Sequence, residues 1–116
     1  MGEFMMVLLH AATNAHILHL QSRKYAEHQA LAGFYAELPD LVDSLVENIQ
    51  GLTEELIEYP TVYWAPDVTG LDELRQLKDY VKANRNELPA DSEIQNAVDE
   101  IASLINSTIY KLKFLE

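Results

Sequence analysis

The chain has 116 residues, with 19 acidic side chains against 8 basic ones, a net charge of −11, and no cysteine. Hydrophobic residues make up 48%, an ordinary globular value, so a single domain with a real core is expected rather than wholesale disorder. The acidity argues against nucleic acid, whose phosphates need clustered Lys and Arg, and against an anionic membrane surface. Without cysteine there are no disulfides, no thiolate chemistry and no Cys-based metal centre.

The apolar run Phe4–Leu9 falls far short of the roughly 20 residues that span a bilayer. Glu3 precedes it and no Lys or Arg occurs before Arg23, unlike the basic start of a secretory signal. A cytoplasmic protein is therefore expected. The few glycines and prolines sit as punctuation between helices.

The first helix is predicted over about residues 3–21, rich in Met, Leu and Ala. It is apolar on more than one side, which points to a partner chain covering the surplus. After a short polar turn, a second helix is predicted from about residue 24 to 58. Leu31, Phe34, Leu38, Val42, Leu45, Ile49, Leu52 and Leu56 form its core-facing stripe. Pro39 should kink or break it near Ala36–Glu37.

Residues 59–70 hold two prolines, a glycine and three aromatics, and read as a loop whose aromatics cover one end of the core. A third, shortened helix is predicted at about 71–85, with Asp72 and Glu73 in its first turn and Lys82 and Arg85 in its last. The fourth, at about 92–114, should begin after Asp91 or Ser92 with Gln95 completing a capping box. The fold class is all-α: a single-domain antiparallel four-helix bundle.

All four histidines fall in the first 28 residues: His10, His16, His19 and His28. His16 and His19 are three apart and share a helix face, as do Asp43 and Glu47, four apart. Imidazole nitrogens with carboxylate oxygens are a ligand set for iron, manganese or zinc. His28 and Asp43, however, are separated by roughly 22 Å along one helix at about 1.5 Å per residue. An antiparallel homodimer resolves this: the His end of one chain meets the Asp/Glu end of the other, giving two equivalent sites. No nucleophile elbow, phosphate-binding glycine loop or His-Glu-x-x-His helix is present.

The spacing His16-x11-His28-x14-Asp43-x3-Glu47 resembles the metal-site spacing of the Dps mini-ferritins, within the ferritin-like superfamily. His28 to Gly51 also resembles that family's second helix. The resemblance covers about residues 10–58. It implies a ferritin-like fold and iron bound by His16 and His28 of one chain with Asp43 and Glu47 of its dimer mate. His19 can replace His16: His16 fits the count, and His19 fits the Leu-His context. Two irons at such a site would imply Fe(II) oxidation by oxygen or peroxide.

Ala32 stands where the family usually carries a further Asp, and Ile17 where a Trp is common. The third helix is short and there is no basic tail. These departures imply a small phage or bacterial relative, in the host cytoplasm if phage-encoded, rather than a twelve-subunit shell. Expected partners are a second copy or a larger homo-oligomer, with no nucleic acid and no membrane. The alternative function is a non-enzymatic helical assembly or interaction protein that keeps the fold without a working metal site.

Overall fold

The computed structural model describes all 116 residues as helices and connections, without strands. Helix α1 spans Gly2–Gln21, α2 Tyr25–Thr53, α3 Gly70–Asn84 and α4 Ser92–Phe114, with a 3-10 turn at Arg85–Glu87. Each amphipathic helix turns one stripe inward, and the stripes meet in one core. Phe4, Met5 and Leu8 enter from α1, Phe34, Leu38 and Leu45 from α2, Leu74 and Val81 from α3, and Ile94 and Ile101 from α4. Helix α1 packs on α2 and α3, and α4 packs on the same two helices.

The second helix ends at Thr53 rather than Glu58. Glu54 turns into the left-handed region (φ 58°, ψ 30°), and its amide donates to the Gln50 carbonyl. The Thr53 hydroxyl also bonds back to the Ile49 carbonyl. Leu52 and Leu56, which continue the apolar period, are 44% and 83% exposed and belong to no core stripe. Apolar spacing marks a face; it does not mark where the neighbouring helices stop supporting it.

Pro39 does not break α2, which runs unbroken through it. The cost is one missing amide donor opposite the Tyr35 carbonyl. Leu38 and Val42, both buried, anchor the helix on either side.

At the other junction, Arg85 lies in the 3-10 turn and not in α3. Gln95 makes no capping box. Its amide instead donates to the carbonyls of Arg85 (3.2 Å) and Pro89 (3.0 Å), while its Oε1 accepts from Arg85 Nε (3.0 Å). Arg85 also pairs with Asp99 at 2.6 Å, so the turn is clamped to α4 through side chains. Thr69 supplies the cap of α3, its hydroxyl accepting from the Asp72 amide at 3.2 Å.

Residues 54–69 form the longest connection. It starts beside the N-terminus of α1, where a Cβ on Gly2 would collide with the Glu58 carbonyl. It then returns along α1 to reach Asn14, and Gly70 seats against Leu31 of α2. Its aromatics therefore cover the flank of α1 rather than one end of the core. No helix is long and apolar enough to cross a membrane.

Replacing Pro39 with Ala restores the missing amide donor in a helix whose path is already set by packing. Urea denaturation of Pro39→Ala should show a gain of about 1–3 kcal/mol, reduced somewhat by the freer unfolded chain.

Candidate functional site

The turn between α1 and α2 is only three residues, Ser22 to Lys24, and it brings the last turn of α1 against the first turn of α2. His19 and His28 meet there. His19 Nδ1 donates to the His28 carbonyl at 2.7 Å, and His28 Nδ1 donates to the His19 carbonyl at 3.0 Å. The two rings stack with centroids 3.6 Å apart and planes 19° from parallel. A carbonyl oxygen only accepts, so both Nδ1 atoms carry hydrogen, which leaves each neutral ring a lone pair on Nε2. Neither Nε2 has a partner in the chain, and neither is sealed from solvent.

His16 lies one turn earlier, exposed, and stacks on Tyr35 at 4.1 Å and 9°. Its ring centroid is 6.0 Å from that of His19, and Tyr35 meets His19 edge-on at 5.3 Å. Of the two alternatives left by the spacing, His19 is the one held against His28.

Asp43 and Glu47 are exposed, one turn apart on α2. They share a shallow cavity of about 290 Å³ with Leu9, Val42, Val46 and Tyr59. Neither forms an ion pair; the chain's two salt bridges are Arg75–Asp72 and Arg85–Asp99. Within one chain no three His, Asp or Glu side chains converge as a metal site. The histidine pair and the acidic pair sit at separate positions along the α1–α2 hairpin.

A second constellation, unforeseen from spacing, lies between α1, α3 and the long connection. Asn14 is 94% buried, its exposure being 6%. Its amide donates to the Trp64 carbonyl (3.2 Å) and to Glu73 Oε1 (3.0 Å), and its Oδ1 accepts from the Tyr63 hydroxyl (2.8 Å). His10 meets Tyr63 edge-on at 4.6 Å and Trp64 at 6.4 Å. Its Nδ1 is buried without a partner. His10, Asn14, Trp64 and Glu73 border a cavity of about 280 Å³ that extends to Asp67, Gln76 and Tyr80. The available signal was Asn14 itself, a polar residue among the alanines 11, 12 and 15.

Tyr80 packs on Phe4, ring centroids 5.9 Å apart. Burial first, and then the negative charges of Glu3 and Glu87, push its hydroxyl above the usual value of 10.0.

Residues 19–112 match the model of a family of unknown function, DUF5856, and the chain belongs to that family. It is also 27% identical over 115 residues to an uncharacterized 14.6 kDa protein from the mobD-ri intergenic region of Enterobacteria phage T4. That alignment covers 95% of this chain and 85% of the phage protein. No solved structure matches.

Asn14→Ala should destabilise the chain by about 1–3 kcal/mol in urea. Because three hydrogen bonds to the connection and α3 end on Asn14, amide exchange over residues 60–68 should accelerate more than exchange in the core helices.

For Tyr80, the unfolded chain releases its phenolic proton near pH 10 while the native chain holds it to higher pH. The stability this contributes is complete below about pH 10 and is lost as pH rises through the native value. Tyr80→Phe should therefore show a shallower fall in stability above about pH 10 than the parent chain.

Proposed function

We propose that this member of the DUF5856 family is a ferritin-like homodimer that binds iron where two chains meet. His28 and His19 of one chain, with His16 as the substitute for His19, face Asp43 and Glu47 of the other. The observation that carries this reading is the reciprocal lock of His19 and His28. An Nδ1–H held by a backbone carbonyl is the arrangement that orients imidazole and raises its basicity as a ligand through Nε2.

Three further features support it. Fifteen residues at about 100° each leave His28 and Asp43 within about 60° of one another around α2, on one side of the helix. Leu9, which shares the shallow cavity with Asp43 and Glu47, is 37% exposed, and Tyr25, five helical turns before Asp43 on the same side of α2, is 77% exposed. A two-fold axis across that side would cover these residues, strip water from Asp43 and Glu47, and set the acidic pair of one chain against the histidines of its mate. Finally, α1 neighbours α2 and α3, α4 neighbours the same pair, and the one long connection joins α2 to α3. A bundle with a single long crossover is the ferritin-like arrangement, and we read this one as antiparallel between neighbours.

The residues fit iron only as a pair of chains, since one chain supplies two imidazoles and no converging carboxylate. Iron bound there would supply redox chemistry with oxygen or peroxide. The chain's own part is to hold two neutral imidazoles in fixed tautomer, present two carboxylates, and exclude water between the copies. Ala32, whose side chain carries no oxygen, leaves four side-chain ligands per site.

Anaerobic Fe(II) titration of the purified protein, with bound metal measured per chain, should reach saturation, and His28→Ala and Glu47→Gln should each abolish it. His19→Ala should weaken binding more than His16→Ala. Mass in solution should be twice the 13.2 kDa of one chain. A monomer sinks the interchain site. A dimer whose parent and variants bind iron equally poorly leaves the fold as a non-enzymatic assembly protein.

A further inference from the structure

The cavity between α1, α3 and the long connection has walls of a consistent chemistry. Asp67 and Glu73 contribute carboxylates, and no Lys or Arg lines it. Trp64 and Tyr80 supply aromatic rings, and Gln76 a neutral amide. Glu73 is aimed by its bond from the buried Asn14, which occupies one carboxylate oxygen and leaves the other without a partner. His10 Nδ1, in the same wall, is the chain's one buried side-chain polar atom lacking a hydrogen bond. At about 280 Å³ the space lies at the small end of ligand cavities.

We infer that this cavity is a binding site for a small organic ammonium ion, such as an aliphatic diamine. Carboxylates give a cation charge-assisted hydrogen bonds, and the faces of Trp and Tyr attract it through their ring quadrupoles. An ammonium group brings donors and no acceptors, the match for the free carboxylate oxygens of Glu73 and Asp67. The chain's net charge of −11 raises the local concentration of any cation. The site shares no residue with the proposed metal ligands and stands or falls separately from them.

The long connection explains how such a site is assembled. Trp64 and Asp67 belong to it, Glu73 and Tyr80 to α3, and His10 and Asn14 to α1. Asn14 fixes the connection to α3 through Trp64, Tyr63 and Glu73, so the walls keep their spacing without a ligand.

Trp64 is the chain's only tryptophan and reports directly on the cavity. Titration with 1,4-diaminobutane at constant ionic strength near 0.15 M should change its emission saturably, with calorimetry giving the same midpoint. Asp67→Asn and Glu73→Gln should each weaken binding about tenfold, as expected for loss of one charge-assisted hydrogen bond. Glu73→Gln keeps the oxygen that Asn14 needs, and Asp67 lies exposed on the connection, so both variants preserve the walls. His28→Ala should bind the diamine like the parent chain. The proposal is overturned if 1,4-butanediol binds as well as the diamine, if both carboxamide variants bind like the parent, or if no saturable response occurs at this salt concentration.

Discussion

Two polar side chains buried on α1 hold the places where this chain departs from plain helix packing. His19 closes the three-residue turn to α2, and Asn14 fastens the connection that leads to α3. Helix α1 is otherwise apolar nearly all round, so burial alone does not decide which of its faces meets which neighbour. A buried amide or imidazole does decide, because leaving it unpaired costs about 1–3 kcal/mol. In this bundle the Asn14 side chain is paired with the long connection and α3, and His19 Nδ1 with the start of α2.

The same physics separates what the sequence could reveal from what it could not. Leu31, Phe34, Leu38, Val42, Leu45 and Ile49 are all buried, as their three- and four-residue spacing requires. Ile94, Val98, Ile101 and Ile105 are buried likewise on α4. Leu56 obeys the same spacing and is exposed, because the left-handed turn at Glu54 takes the chain off the helix before it, while Leu52, in the last turn of α2, is 44% exposed. Periodicity is a property of one helix; its length is set by the helices beside it. Pro39 shows the converse, since a local breaker is overridden where neighbours on both sides are firmly packed.

Candidate ligands were legible by residue type and not by role. His16 and His19 occupy one helix face, and only the packing of α2 distinguishes them: Tyr35 takes the first ring and His28 the second. The reciprocal hydrogen bonds between His19 and His28 join residues nine apart through backbone carbonyls. No residue pattern encodes that contact, because any amino acid offers a carbonyl. Tyr63 and Trp64 read as end-cover for the same reason: their partner on α1 is a single asparagine inside an apolar run.

The two sides of α1 thus carry different chemistry. Toward α2, the stacked histidines close a short turn and present nitrogen lone pairs. Toward α3, the long connection brings carboxylates and aromatic residues over the same helix. The length of the connection is what permits the difference. A short link between α2 and α3 would take Trp64 and Tyr63 from Asn14 and leave its side chain only the bond to Glu73. Sixteen residues of connection and one buried asparagine are therefore a single structural choice, and the cavity beside Glu73 is its consequence.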